Sequence, residues 1–160
     1  MKKATDVFKK ALLHEVHGQY FYQKASEITK NDASRMVFLE LVDMEDGHAR
    51  ELVEKAKSAP CAKGFNPEAY LRELEATVEA RISGAMKKVL RKGKIRKVLA
   101  LAIDMEKRAR ANYEKLAEKA TDADVKKYCR ELAQEEKKHQ GQLQQLLNSL
   151  DMDLDDRPGL

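Results

Sequence analysis

The sequence predicts an all-α fold: an up-down four-helix bundle of two repeated helical hairpins, with a long, partly helical crossover between helices 2 and 3. Three observations predict it. The 160-residue chain contains only 7 Gly and 3 Pro and is rich in Ala, Leu, Glu, Lys and Arg, which favours long helices over strands. Apolar residues recur at helical spacing along four long segments. The chain also matches itself when shifted by 91 positions without a gap, so that Glu15 falls on Glu106, Tyr22 on Tyr113, Glu45 on Glu136 and His48 on His139.

The first helix is expected from about Thr5 to Thr29, with the stripe Phe8, Ala11, Leu12, Val16, Tyr22 and Ala25. Lys30-Asn31-Asp32 is a turn in which Asn31 or Asp32 can cap the next helix. That second helix carries Phe38, Leu41, Glu45, His48 and Leu52 and ends before Pro60. After Gly64, Asn66 caps a further helix with Pro67 in its first turn, running through Leu71, Leu74 and Val78 towards Ile82, and Gly84 and Gly93 loosen the chain beyond it. A third long helix is expected over about Lys94 to Ala120, with Leu99, Ala102, Glu106, Ala109, Tyr113 and Leu116 in line. Thr121-Asp122-Ala123-Asp124 supplies the second turn and cap, and the fourth helix carries Val125, Cys129, Leu132, Glu136, His139, Leu143 and Leu146. Residues 1–150 are read as one domain and 151–160 as a disordered acidic tail.

Composition narrows the function classes. No apolar run is long enough to span a bilayer and the opening residues lack the apolar stretch of a signal peptide, so a cytoplasmic protein without a membrane partner is expected. Cys61 and Cys129 form neither a disulfide scaffold nor a Cys-x-x-Cys thiolate knuckle. The net charge is +4, and Lys87, Lys88, Arg91, Lys92, Lys94, Arg96 and Lys97 crowd one stretch without an acid. Most simply this is a solvated helix end; the sharper reading is a docking patch for an acidic electron-donor protein. A nucleic-acid partner is not expected, because no aromatic residues interleave with these cations.

The repeat carries the chemistry. Each half holds one Glu and, 30 residues later, a Glu-x-x-His: Glu15 with Glu45-Asp46-Gly47-His48, and Glu106 with Glu136-Lys137-Lys138-His139. The midpoints of these spacings, residues 30 and 121, fall in the two turns. Antiparallel folding therefore returns each lone Glu to the height of its Glu-x-x-His, roughly 22 Å from the turn at 1.5 Å per residue. Glu and His three apart lie on one helix face, and here that face is the apolar stripe. Four carboxylates turned into a bundle interior without compensation would be prohibitive. Two divalent cations supply +4 against them and leave the imidazoles neutral, so Glu15, Glu45, His48, Glu106, Glu136 and His139 are read as ligands of a binuclear metal centre. His14 and His17 flank Glu15 off the stripe and are taken as surface residues. Tyr22 and Tyr113, seven residues after their Glu, either donate hydrogen bonds or relay radicals at the centre, or are ordinary core aromatics. Cys129 is read as a small core residue.

With these residues in place the chain resembles the rubrerythrin-like branch of the ferritin-like superfamily. The likeness lies in Glu15 through Phe21-Tyr22, Glu106 through Asn112-Tyr113, and Leu132-Ala133-Gln134-Glu135-Glu136-Lys137-Lys138-His139, and covers about residues 5 to 55 and 94 to 149. The resemblance implies a single-crossover bundle in which Glu45 and Glu136 bridge two iron ions, or manganese, while Glu15 with His48 and Glu106 with His139 hold one metal each. Two departures stand out. Family members that reduce peroxide carry a further Glu where this chain has Ala109, with Gly18 at the symmetric place, and two small residues there leave room for water, dioxygen or peroxide. The rubredoxin module with its paired cysteines is not found in this chain, so electrons would come from a separate protein. The expected function is a cytoplasmic, homodimeric diiron peroxidase or oxidase acting on H₂O₂ or O₂ in oxidative stress. Its rivals are a ferritin-like iron storage or ferroxidase protein, and a bundle with a vestigial site that binds a partner.

Overall fold

The computed structural model describes residues 2–155, and they fold as six helices: α1 (Lys2–Ile28), α2 (Asp32–Ser58), α3 (Pro67–Arg81), α4 (Gly84–Lys92), α5 (Ile95–Lys119) and α6 (Ala123–Asp155). A single 3₁₀ turn, Pro60–Ala62, follows α2. The local signals in the sequence explain the breaks. Asn31 caps α2, its side chain accepting from the Ser34 amide at 2.9 Å, and Asn66 does the same for α3 from the Ala69 amide at 3.0 Å. Asp122 Oδ1 accepts from the amides of Asp124 and Val125, both at 3.0 Å, and so starts α6.

Two features differ from the expectation. The loosened stretch after Ile82 is a helix of its own, α4, because the Ser83 hydroxyl accepts from the Met86 amide at 3.1 Å and Gly93 closes the helix in the left-handed region at φ 64°. At the other end, α6 continues through Asp155, five residues into the stretch expected to be a disordered tail; residues 156–160 lie outside the described residues.

The helices pair as the hairpin repeat requires, α1 with α2 and α5 with α6. Their mutual direction follows from the two apolar clusters. One joins Phe8 and Leu12 near the start of α1 to Leu52 and Val53 late in α2, Tyr113 and Leu116 late in α5, and Cys129 and Leu132 early in α6. The other joins Phe21 and Tyr22, Phe38 and Leu41, Leu99 and Ile103, and Leu143. Thus α5 runs antiparallel to α1 and parallel to α2, the single-crossover, ferritin-like arrangement. The crossover does not hang free: α3 packs on α1 and α2, and α4 on α5 and α1. Between the two apolar clusters lies a layer that is neither empty nor apolar.

Candidate metal centre

That layer holds Glu15, Glu45, Glu106, Glu136 and His139, each nearly or fully buried, together with His48, which is partly buried. Each lies on the inward stripe of a long helix, so the folding that buries Phe8, Leu41, Leu99 and Leu143 also forces these polar groups inside. All six residues expected from the sequence are brought together. Ligand atoms of Glu15, Glu45, His48 and Glu136 lie within 4.8 Å of one another, and so do those of Glu45, Glu106, Glu136 and His139. Glu45 and Glu136 belong to both groups. The His48 Nδ1 to Glu15 Oε2 distance is 3.4 Å, and His139 Nδ1 lies 3.4 Å from both Glu45 Oε1 and Glu136 Oε2 and 3.7 Å from Glu106 Oε2. The two imidazoles stack with centroids 5.9 Å apart.

The outer faces of the lone glutamates are held by tyrosines from the opposite hairpin. The Tyr113 hydroxyl donates to Glu15 Oε1 at 2.6 Å, and the Tyr22 hydroxyl donates to Glu106 Oε1. The inner atoms have no such partners. Glu15 Oε2, Glu45 Oε1, His48 Nδ1, Glu106 Oε2 and both nitrogens of His139 are buried without a hydrogen bond. A polar atom buried in this way costs on the order of 1–3 kcal/mol, and more when charged. Unsatisfied atoms on side chains facing one centre fit a pair of divalent cations, with oxygen and nitrogen donors and no sulfur.

Electrostatics divide the carboxylates into two kinds. Burial drives the Glu45 carboxyl well above the usual carboxylate range, and its neighbours Glu15 and Glu136 add to the rise. Glu136 rises well above it too, from burial and then from Glu106. Burial also works against ionisation of Glu15, but Glu45, His48 and Tyr113 outweigh it and hold that carboxyl below the usual range. Glu106 is likewise held low against its own burial, by Glu136, His139 and Tyr22. Without cations, therefore, the cluster favours the charged form at the lone glutamates and the protonated form at Glu45 and Glu136.

Two sequence readings need correction. His14 and His17 are not surface residues but half-buried, and both line a pocket of about 150 Å³ that reaches Glu45, Glu106 and Glu136. Burial lowers the pKa of both rings, which favours their neutral forms. The helical wheel put these rings outside a four-helix stripe, but α5 meets that face: the Asn112 amide lies 2.9 Å from His14 Nε2, the Tyr113 ring lies 5.7 Å from that of His14, and Met86 of α4 lines the same pocket. Gly18 and Ala109 do line this pocket, although the space beside Gly18 is partly taken: a Cβ there would stand 3.0 Å from Glu45 Oε2. Cys129 is a buried core residue whose thiol is pushed up to about 11 by burial. In the basic run, Lys87, Lys88, Arg91, Lys92, Lys94 and Lys97 are exposed, whereas Arg96 is half-buried and donates to the Leu150 carbonyl at 3.2 Å. Among the described residues no helix is long and apolar enough to cross a membrane.

Comparison with protein-family models matches residues 6–147 to the family described as Rubrerythrin. No curated protein and no solved structure gives a significant match.

Proposed function

Since the chain belongs to the rubrerythrin family, we propose that it is a non-haem binuclear iron oxidoreductase that reduces hydrogen peroxide or dioxygen with electrons from an external donor. One observation carries this reading: two Glu/His groups overlap through Glu45 and Glu136 in a buried layer whose inward atoms have no other partners. Glu15 with His48, and Glu106 with His139, would complete the two ligand sets, and Glu45 and Glu136 would bridge them. Iron, or manganese as the other metal that oxygen and nitrogen donors suit, would supply the electron pair and the Lewis acid.

The chain's own residues do the rest. Tyr22 and Tyr113 fix one oxygen of Glu106 and of Glu15, which leaves the other oxygen facing inward. Peroxide needs two electrons and two protons to become two waters, and the two phenols stand next to the ligand layer as its nearest hydroxyl donors. Electrons arrive from a separate acidic redox protein, which the exposed cations of α4 and its flanks would attract. The protein works as a homodimer in the cytoplasm.

The test is anaerobic reconstitution with iron(II), reduction, and stopped-flow mixing with H₂O₂ and with O₂. Fast oxidation by peroxide with a sluggish response to O₂ supports the peroxidase; the opposite order points to an oxidase or ferroxidase. A very large shell on gel filtration would favour ferritin-like storage, and near-zero iron after reconstitution would end the metal reading.

A further inference from the structure

The pocket of about 150 Å³ that reaches Glu45, Glu106 and Glu136 opens to solvent beside the exposed Arg108, and its lining holds two thioethers, Met86 and Met105. They arrive from different elements. Met86 lies in the first turn of α4, where its amide donates to the Ser83 hydroxyl at 3.1 Å, and Met105 lies on α5 immediately before Glu106. Both are half-buried and pack against the second apolar cluster. The other methionines among the described side chains are Met36 and Met44 on α2, which are 63% and 38% exposed and take no part in that lining. Met44 also stands immediately before a glutamate of the layer, Glu45, yet of the two only Met105 lines the pocket.

Chemistry separates the thioethers from the other groups at hand. A thioether sulfur is polarisable, accepts one oxygen atom from a peroxide and needs no deprotonation to do so. Cysteine reacts as its thiolate, and burial pushes the Cys129 thiol up to about 11 and raises that of Cys61 as well. Peroxide free in solution finds methionines in order of exposure, which puts Met36 first. Peroxide held at the floor of the pocket meets Met86 and Met105 instead.

We infer that Met86 and Met105 are oxidation sites served by this pocket, becoming methionine sulfoxides ahead of the more exposed Met36 and Met44 when peroxide is handled at the carboxylate layer. The step balances. A sulfur lone pair attacks one peroxide oxygen, the S–O bond forms as the O–O bond breaks, and the second oxygen leaves as water with both hydrogens. Sulfur loses two electrons and peroxide gains them. Each sulfoxide places a polar oxygen in a lining that was apolar there. That the layer handles peroxide rests on the oxidoreductase function proposed for the site.

The experiment compares the full chain under anaerobic conditions in three forms: metal-free, reduced and loaded with iron(II), and metal-free beside the same iron held by excess soluble chelator. Each receives a few equivalents of H₂O₂ and is quenched with catalase. Peptide mapping reads sulfoxide at each methionine, while absorbance follows iron oxidation. The metal-free and chelator samples should oxidise Met36 first. The loaded sample should reverse the order, with several-fold more sulfoxide at Met86 and Met105 than at Met36 and Met44. Met86→Leu and Met105→Leu nearly conserve volume, and each should leave the remaining pocket thioether ahead of Met36. The parent map carries the test if either variant fails to fold by circular dichroism.

Iron oxidation with Met36 still first would keep the oxidoreductase and overturn the oxidation sites. The reversed order without iron oxidation would keep the oxidation sites and remove the oxidoreductase. Exposure order in every sample with no iron oxidation would overturn both. A reversed order in the metal-free or chelator sample as well would overturn the tie between these thioethers and the loaded layer.

Discussion

The Tyr22 hydroxyl on α1 donates to Glu106 on α5, so the tyrosine of the first hairpin holds the lone carboxylate of the second. Tyr113 returns the contact to Glu15. Because α1 and α5 run antiparallel, a side chain two turns beyond one glutamate leans back over the layer and meets the other. Each hairpin thus finishes its carboxylate layer only when the other is docked, which ties the candidate metal centre to assembly of the whole bundle.

Removing either phenol should therefore weaken metal binding without abolishing it. Tyr22→Phe or Tyr113→Phe is expected to lower metal affinity by about tenfold or more, the usual effect of losing a group that orients a ligand. The loss of one buried hydrogen bond should cost on the order of 1 kcal/mol in the metal-free protein. Chelator competition and urea unfolding read the two effects; unchanged affinity in both variants would show that the phenols only pack.

The split among the carboxylates predicts the pH dependence of the metal-free fold. Glu45 and Glu136 have raised pKa values when folded, from burial first, so their contribution favours the fold at low pH and is lost as pH rises through those values. Glu15 and Glu106, held low, contribute above the ordinary carboxylate pKa and lose that contribution as pH falls through their folded values. The metal-free melting temperature should accordingly pass through a maximum and fall on both its acid and its alkaline side. Cations displace the protons on Glu45 and Glu136, so loading should release protons and lift stability most on the alkaline side. Calorimetry with and without chelator measures this; a metal-free melting temperature that climbs with pH without passing through a maximum would contradict it.

The shared position of Glu45 and Glu136 separates their variants from those of neighbouring histidines. Glu45→Ala or Glu136→Ala should abolish binding of a metal pair, since each removes a group common to both ligand sets. His14→Ala should leave the metal stoichiometry unchanged, because His14 bonds to Asn112 and belongs to neither set. Metal analysis after reconstitution decides it, and loss of metal in His14→Ala would contradict the ligand assignment.

Gly18 offers a case where stability and binding part. Alanine there should gain up to about 1 kcal/mol of helix propensity. Its Cβ would stand 3.0 Å from Glu45 Oε2 and 3.1 Å from its Cδ, so the carboxylate must give by a few tenths of an ångström. The metal-free Gly18→Ala protein should melt higher while its affinity for a metal pair falls. A variant that binds metal as tightly as the parent would show that Glu45 has room to move.

The sequence alone determined the hairpin repeat, the helix starts at Asn31 or Asp32, at Asn66 and in the turn Thr121-Asp122-Ala123-Asp124, and the six side chains that converge. These follow from helical phase: a residue on the apolar stripe goes where the stripe goes, and the spacing of 30 residues across a turn sets its height. The second tier was not legible. A wheel for a four-helix bundle sends His14 and His17 into water, whereas the docking of α5 and α4 beside α1 leaves both half-buried. The Ser83 cap that starts α4 was present as a signal but was masked by the neighbouring Gly84. Likewise, the exchange of Tyr22 and Tyr113 between hairpins depends on the antiparallel docking of α1 on α5. Phase along one helix is a local property, whereas what covers its remaining face is set by chain that is distant in sequence, and that only the tertiary structure decided.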